Sequence, residues 1–282
     1  MTSPQNRIVS VLIPAHNEAA YIADCLAALY ASSAMPPDHQ VEVLVLANGC
    51  TDQTAEIARS MVPPREWSLL VLERAEGGKL AALTEGDAKA RGQVRVYLDA
   101  DVQVETGMLA QIATALASDA PRYASGSPCV KRAKSPITRA YAAVWTQLPF
   151  VTTGAPGFGL FAMTSAGRAR WESWPDIISD DTFARLNFTP DERIRLPGRY
   201  HWPMVEGFRN LVRVRRRQDH GVAEIAQRFP ELLPNDDPRP LSKAQLLGII
   251  LRHPIGFIVY AAVSLAVRTR LFATKDAWAR GR

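Results

Sequence analysis

Residues 94–104 read VRVYLDADVQV, and in this stretch an apolar run stops at a pair of carboxylates. The apolar alternation before Asp99 predicts a buried strand that ends there. In an extended backbone, residues i and i+2 point the same way, so Asp99 and Asp101 would repel each other unless a cation lies between them. Mg²⁺ and Mn²⁺ prefer oxygen ligands and share their coordination with phosphates. The stretch therefore predicts a divalent metal site at a strand end, although a solvated turn after a strand would have the same composition.

The residues before this stretch alternate between strand patterns and helix patterns. Apolar runs at residues 8–13, 41–46 and 68–72 predict three more strands, and residues 18–31 and 79–90 have the apolar spacing of helices. Strands and helices in alternation predict parallel pairing with right-handed crossovers. The predicted fold class is therefore α/β, with a Rossmann-like, mostly parallel sheet flanked by helices. Ligands of such sheets bind beyond the carboxyl ends of the strands.

The charge and the cysteines limit the partners and the compartment. A chain of 282 residues can form one large α/β domain, and its net charge of +5 favours anionic partners such as nucleotides, phosphates or anionic lipid. We expect no nucleic acid among them. Three cysteines without CxxC spacing argue against a disulfide framework or a zinc site and favour a reducing compartment. Residues 1–10 lack the apolar core of a signal peptide, and no uninterrupted apolar run reaches the roughly eighteen residues of a spanning helix. We therefore expect a cytoplasmic protein.

Polar residues also follow the first two predicted strands, and a lysine opens a predicted helix. Asn17 and Glu18 could hydrogen-bond a base or a ribose, or they could cap the first helix. Asn48 and Gly49 are also typical of a plain turn. Residues 77–79 (GGK) allow a ligand to approach the backbone at a helix N-terminus, which attracts anions. They do not match the GxxxxGK[ST] phosphate-binding loop, and an ordinary turn would have the same sequence.

A second acidic pair lies in the second half of the chain. Residues 135–150 are predicted to form a helix, and the glycine-rich residues 154–159 (GAPGFG) follow it. Asp180 and Asp181 then open another predicted helix. The helix dipole favours a carboxylate at a helix start, and this accounts for the presence of one of the two. Two together downstream of a glycine-rich loop also favour a general base.

Five motifs, taken in their order, resemble the family 2 glycosyltransferases, which are inverting enzymes of the GT-A fold. The resemblance extends over roughly residues 7–220, and the order of the motifs is more specific than any one of them. The motifs are PAHNE (14–18), ANGCTDQT (47–54), GGKLAAL (77–83), YLDADV (97–102) and ISDDTF (178–183).

The resemblance implies a nucleotide-diphosphate sugar as donor and Mn²⁺ or Mg²⁺ as cofactor, with Asp99 and Asp101 at the metal. Asp181, beside Asp180, would be the catalytic base. Most of the other implied site residues would lie near the nucleotide. Gly157 and Phe158 would shape the sugar or acceptor pocket. The full set implied at the nucleotide-sugar is Pro14, His16, Glu18, Asn48, Lys79, Asp99, Gly157 and Phe158.

The chain departs from the family pattern in two places. The family commonly has DDGS where residues 47–50 read ANGC, so the identity of the donor base stays open. Processive members carry a QxxRW-like motif, whereas residues 213–218 read RVRRRQ without a tryptophan, which favours a single transfer. The arginines of this run could clamp a diphosphate, contact anionic lipid or form a solvated basic helix face. They are Arg213, Arg215, Arg216 and Arg217.

The expected function is the transfer of a sugar, with inversion, to a hydroxyl acceptor, such as a lipid-linked acceptor or a precursor of a cell-envelope polysaccharide or glycolipid. One alternative is a nucleotidyltransferase on a related sheet. Such enzymes usually have a glycine-rich loop with arginine and lysine after the first strand, and residues 14–21 (PAHNEAAY) do not form one. A second alternative is a membrane-associated nucleotide-sugar-binding subunit without turnover, and the intact acidic pairs argue against it.

The end of the chain differs in composition from the rest. We predict a catalytic domain over residues 1–235 and an apolar helical tail over residues 236–282. A helix over residues 254–267 would be about 21 Å long, too short to cross a hydrocarbon core about 30 Å thick. This helix would pack on the catalytic domain or in a dimer, or insert shallowly into the inner face of the cell membrane with its flanking arginines on anionic headgroups. We favour shallow insertion.

Overall fold

A computed structural model describes residues 7–32, 34–36, 38–270 and 272. The strands of its sheet are β1 (Arg7–Ala15), β2 (His39–Asn48), β3 (Trp67–Arg74), β4 (Val94–Leu98), β5 (Gln103–Val104), β6 (Tyr123–Val130), β7 (Leu160–Thr164) and β8 (Arg193–Trp202). The helices are α1 (Ile22–Ala31), α2 (Thr54–Ser60), α3 (Lys79–Lys89), α4 (Met108–Ala115), α5 (Pro136–Trp145), α6 (Pro149–Thr152), α7 (Ser165–Arg168), α8 (Asp180–Leu186), α9 (Phe208–Arg228), α10 (Lys243–Arg252) and α11 (Pro254–Val267).

The eight strands form one sheet in the order β3-β2-β1-β4-β7-β6-β8-β5. The four predicted strands of the first half pair in parallel, β3 with β2, β2 with β1 and β1 with β4, because helices provide the crossovers. In the second half, β7 runs antiparallel to both β4 and β6, while β6 and β8 are parallel and β5 is antiparallel to β8. The predicted α/β class with a mostly parallel sheet is confirmed.

Both faces of the sheet are buried, which explains why the central strands are apolar without a strict alternation. Val11 of β1 faces a core that α1 and α4 complete, whereas the next residue, Leu12, faces a core that α3 and α8 complete. With both faces covered, the polar strand ends are the part of the sheet left for ligands.

The helix predicted over residues 135–150 is interrupted. Helix α5 ends at Trp145, and the short helix α6 begins at Pro149. Leu148 has an extended backbone (φ −72°, ψ 145°), because a residue that precedes proline is disfavoured in the helical region. This prediction was therefore wrong over residues 146–148, where the helix breaks.

Helices α10 and α11 form a bent pair at the end of the described chain. Helix α11 coincides with the predicted residues 254–267, and its Val263 and Ala266 share an apolar cluster with α5 and α9. Across residues 7–32, 34–36, 38–270 and 272, no single helix is long and apolar enough to cross a membrane, whereas the α10–α11 pair, bent by 114°, passes the same test of length and composition. Residues 271 and 273–282 of the predicted tail and residues 1–6 lie outside the described residues.

Candidate active site

A cleft of about 250 Å³ opens at the carboxyl ends of β1 and β4. Its walls also include the first residue of α3, the residues before β7, the start of α8, the end of β8 and one face of α9. It brings together eight of the residues predicted from the sequence, which are Pro14, Lys79, Asp99, Asp101, Phe158, Asp180, Asp181 and Arg217.

Lys79 lies between the two acidic pairs. Its Nζ is 2.9 Å from Asp99 Oδ1 and 2.9 Å from Asp180 Oδ2. The position follows from local structure, because Lys79 is the first residue of α3 and Gly78 before it has a φ of 151°, which favours glycine. Lys79 thereby connects the strand-end carboxylate with the carboxylate at the start of α8.

These contacts determine the charge of the cluster. Burial opposes the positive charge of Lys79, but the carboxylates of Asp180 and Asp99 outweigh it and raise the pKa of the ammonium above its ordinary value. Asp180 is 8% exposed, and burial raises the pKa of its carboxyl despite the opposing effect of Lys79, with Asp181 and Asp99 adding to the rise. The lysine therefore stays protonated, and its charge favours the ionised form of Asp180.

Replacing Lys79 with Met is expected to lower the free energy of unfolding by about 2–3 kcal/mol. Removing one partner of a buried ion pair costs about 3–5 kcal/mol, and the smaller value is expected here because a third of the Lys79 side chain is exposed. Urea unfolding measures the loss. A chelator is present so that no metal ion takes the place of the missing ammonium. Lys89→Met, at the exposed far end of the same helix, is the control, and equal losses for the two variants would contradict the role of Lys79.

Asp181 differs from its neighbour in its surroundings. It lines the cleft, and its Oδ1 accepts hydrogen bonds from Ser179 Oγ and from the Thr182 backbone N–H, both at 2.8 Å. The pair predicted at a helix start is therefore divided, with Asp180 turned to Lys79 and Asp181 held at the cleft wall. This arrangement favours Asp181 over Asp180 as a proton acceptor.

Asp99 and Asp101 both line the cleft, at the end of β4. The loop that carries them is held by the Asp99 backbone N–H, which donates to Gly159 O at 2.9 Å. Among the residues that the structure describes, no group of three or more His, Cys, Asp or Glu could hold a metal ion. The two carboxylates fit a Mg²⁺ or Mn²⁺ ion that takes further ligands from phosphates and water, because such ions are commonly bound by one or two carboxylates plus substrate phosphates.

Asn48 is buried at the end of β2 and holds three segments together. Its Nδ2 donates to Ala15 O at 2.9 Å and to Leu46 O at 3.1 Å, and its Oδ1 accepts from the Gly78 N–H at 3.0 Å. His16 Nδ1 is 2.5 Å from Asn48 O. These bonds fix the turn before Lys79, whereas a contact between Asn48 and a nucleobase stays a prediction.

His16, Glu18 and Gly157 are the remaining predicted nucleotide-sugar residues, and they do not line the cleft. The Glu18 N–H donates to Thr54 Oγ1 at 2.7 Å, which connects the loop after β1 to α2. Gly157 is buried with a φ of 87°, and a Cβ atom there would collide with the Tyr123 hydroxyl. Gly157 therefore lets the chain pass Tyr123, and the next residue, Phe158, provides the cleft wall.

Gly49 is required where the loop after β2 passes the GGK turn. Its φ is 56°, and a Cβ atom would lie 2.6 Å from Gly77 N. Gly49→Ala is expected to lower the free energy of unfolding by about 2–4 kcal/mol, because a left-handed backbone costs about 1–2 kcal/mol and displacing the packed turn costs about as much again. Gly107→Ala is the matched control, since Gly107 has a φ of 85° with nothing within 4 Å of a Cβ. Urea unfolding should give the control a loss of only about 1–2 kcal/mol, and indistinguishable losses would show that the contact with Gly77 is unimportant.

The aromatic wall of the cleft was not predicted from the sequence. Trp202, the last residue of β8, lines the cleft beside Phe158, and their ring centroids are 5.6 Å apart. Trp145 stacks on Trp202 from behind at 5.6 Å, with ring planes 19° apart. Strand β8 ends at Trp202, and an aromatic residue followed by Pro203 at a strand end was the available signal.

The four arginines of residues 213–217 do not form one surface. All four arginines lie on α9, but only Arg217 lines the cleft. Arg215 donates to Asp219 Oδ1 at 2.8 Å and to the Tyr260 hydroxyl at 3.1 Å. Arg216 donates to Ala266 O at 3.1 Å and to Thr269 O at 2.9 Å at the end of α11. Arg215 and Arg216 therefore hold α11 on α9. This role differs from the contact with a diphosphate, the contact with lipid and the solvated helix face considered for these arginines. Arg213 is partly buried and lies outside the cleft.

Residues 10–160 match the sequence profile of glycosyl transferase family 2. The match covers more than half of the chain, and the chain belongs to this family. A glycosyltransferase of Haloferax volcanii, AglE, is 38% identical over 93 residues, which is 33% of this chain and 30% of that protein. A probable glycosyltransferase of Bacillus subtilis, YdaM, is 33% identical over 96 residues, which is 33% of this chain and 22% of that protein. The matched part thus spans less than a third of either relative.

Solved structures of low sequence identity share the fold. The mannosyltransferase PcManGT from Pyrobaculum calidifontis, solved with GDP-Man and Mn²⁺, aligns with a TM-score of 0.56 and 22% identity over 93% of this chain and 76% of its own. Residues 1–349 of TarS from S. aureus, solved with UDP-GlcNAc, align with a TM-score of 0.56 and 18% identity over 93% and 76% of the two chains. These similarities confirm the GT-A fold.

Proposed function

We propose that this chain is a metal-dependent inverting glycosyltransferase, which moves a sugar from a nucleotide-diphosphate donor to a hydroxyl acceptor. The observation that carries the proposal is the single cleft that Lys79 and the two acidic pairs line, at the strand ends of a family 2 chain. The Pyrobaculum structure, which contains GDP-Man and Mn²⁺, supports this class of donor and a divalent ion by analogy.

Two groups of residues would act on the donor. Asp99 and Asp101 would hold Mn²⁺ or Mg²⁺, which would neutralise the charge that develops on the leaving diphosphate. Lys79 lies within reach of the same site, and its ammonium would bind the phosphates in exchange for a carboxylate. Phe158 and Trp202 would form the apolar wall against which a sugar ring packs.

Asp181 would act on the acceptor. Its carboxylate would take the proton from the attacking hydroxyl, while the hydrogen bonds from Ser179 and Thr182 hold it in place. Attack on the anomeric carbon from the side opposite the diphosphate inverts the configuration. We infer a single transfer, because residues 213–218 lack the tryptophan of the processive motif.

The acceptor that we propose is a hydroxyl of a lipid-linked molecule or of a polysaccharide or glycolipid precursor. In support, the aromatic wall of the cleft and helix α11 belong to one apolar cluster, so the cleft is not bounded by polar groups alone. We propose a cytoplasmic location, which the free Cys25, Cys50 and Cys129 support.

A thermal-shift screen with nucleoside diphosphates, with and without Mn²⁺, tests the donor class. A ligand that binds the folded state raises its stability, by about 2.7 kcal/mol at a concentration 100-fold above Kd. The nucleotide that gives a Mn²⁺-dependent shift is then offered as a panel of nucleotide-sugars, and release of the diphosphate is measured. If no nucleotide shifts the transition and no sugar donor is cleaved, the proposal is wrong.

A further inference from the structure

Helices α10 and α11 present an apolar face to solvent. Leu247 and Leu251 of α10 and Ile255, Ile258 and Leu265 of α11 are between 56% and 73% exposed. The spacing of 247 and 251, and of 255, 258 and 265, puts the residues of each helix on one face. Large aliphatic side chains exposed together in this way mark an interaction surface more often than a solvated one.

The opposite face of α11 is firmly packed on the catalytic domain. Val263 is fully buried, and a Cβ atom at Gly256 would lie 2.7 Å from the backbone oxygen of Ala140 in α5. Tyr260 stacks on Tyr141 with ring centroids 5.1 Å apart. Arg216 adds hydrogen bonds to the last turn of the helix. The exposed side chains therefore belong to a helix with a fixed orientation.

The two helices and the residues that flank them in sequence carry charge of one sign. Residues 238–272 contain no Asp or Glu. They contain five cations, of which Lys243, Arg252, Arg268 and Arg270 are exposed on or beside the two helices. Cations that flank an apolar helical face fit the headgroups of anionic lipid, each strengthening binding about fivefold near the surface. A second copy of the same face fits less well, because self-pairing would bring like charges together.

We propose that the exposed face of α10 and α11 docks on an anionic lipid surface. The apolar side chains of the two helices enter the boundary between headgroups and acyl chains, and the flanking arginines and Lys243 contact the headgroups. The bend of 114° between the helices lets both lie along the surface. Because the opposite face of α11 packs on the apolar cluster that includes Phe158 and Trp202, docking holds the catalytic domain at the lipid surface through α11.

Flotation of the full-length protein with vesicles tests this proposal. We expect binding to vesicles of 70% phosphatidylcholine and 30% phosphatidylglycerol and at least about 100-fold weaker binding to phosphatidylcholine alone, because the attraction of all four cations is lost. Ile258→Gln with Leu265→Gln should lower the partition coefficient by at least about tenfold, because two large aliphatic side chains no longer enter the bilayer. Arg252→Gln with Arg268→Gln should lower it about fivefold for each arginine and weaken its dependence on salt.

The matched control replaces two exposed aliphatic residues elsewhere in the chain. Val62→Gln with Leu70→Gln, in the loop after α2 and on the edge strand β3, should leave flotation unchanged. Deletion of the tail is a poorer test, because it would uncover the cluster on which α11 packs. Far-UV circular dichroism and the melting temperature confirm that each variant is folded. No donor or acceptor is present, so the result does not depend on the transfer reaction.

Three outcomes would overturn the proposal. They are a full-length protein that does not float with the anionic vesicles, an Ile258 and Leu265 variant that floats as well as the original chain, and a control variant that loses flotation equally. Sedimentation velocity tests whether a second copy of this chain covers the face instead of lipid. A dimer that the Ile258 and Leu265 substitutions convert to a monomer, without vesicle binding by either form, assigns the face to a second copy of this chain.

Discussion

Asp181→Asn is expected to lower kcat by about 10²–10⁴-fold, the usual effect of removing a general base. The amide keeps the shape of the carboxylate and one acceptor oxygen for Ser179 and Thr182, but it does not take a proton. The Kd of the donor should change little, because the proposed contact of Asp181 is with the acceptor. Initial rates at saturating donor and acceptor, together with calorimetric titration of the donor, measure the two effects separately.

Asp176→Asn is the control for this prediction, because it makes the same chemical change at an exposed position shortly before α8. It should leave kcat within about twofold, as expected of a surface substitution away from the site. An Asp181→Asn variant with an unaltered kcat would contradict the assignment of the base. Since Asp180 is paired with Lys79, such a result would indicate that a group other than these two carboxylates takes the proton.

Asp101→Ala is expected to lower kcat/KM by about 10²–10³-fold at any concentration of Mn²⁺ or Mg²⁺. Loss of a metal that supplies about 3–4 kcal/mol of transition-state stabilisation accounts for this factor, since each 1.36 kcal/mol corresponds to a factor of ten. The fold should be unaffected, because Asp101 is partly exposed at the cleft wall. The Mn²⁺-dependent thermal shift by the nucleoside diphosphate should also be lost, and this measurement does not require turnover.

Asp119→Ala, an exposed carboxylate in the loop after α4, is the control and should keep both the rate and the thermal shift. Two results would refute the metal role. One is an Asp101→Ala variant with near-original kcat/KM, and the other is a wild-type rate that a chelator does not lower.

The first half of the fold was predictable from the chain because its signals are local. The apolar run before Asp99 predicted a strand that ends at Leu98, where β4 ends, and residues 254–267 coincide with α11. Strands alternating with helices also determine parallel pairing, since a short connection cannot join parallel strands. The antiparallel placement of β7 between β4 and β6 was not predictable in this way, because nothing near residues 160–164 specifies which strands they pair with.

The candidate site was also predictable only in part from the sequence. The sequence alone identified the carboxylates at Asp99, Asp101, Asp180 and Asp181, because strand ends and helix starts are local features with characteristic residues. The family resemblance already implied Asp181 as the base, but only the tertiary structure shows how the two carboxylates differ, since Lys79 reaches Asp180 from a helix about a hundred residues earlier in the chain. A helix start accepts either carboxylate equally, so the difference arises only from what packs against each.

The same reason applies to the arginines and to the aromatic wall. Local sequence determined that α9 is basic, but the positions of Tyr260 and of the end of α11 decided that Arg215 and Arg216 bind the C-terminal helix while Arg217 faces the cleft. Trp202 acquired its place beside Phe158 from the pairing of β8 with β6. Composition and periodicity determine which segments fold into strands and helices, and contacts between distant segments decide which side chains meet, because a side chain's partners depend on the packing of whole elements.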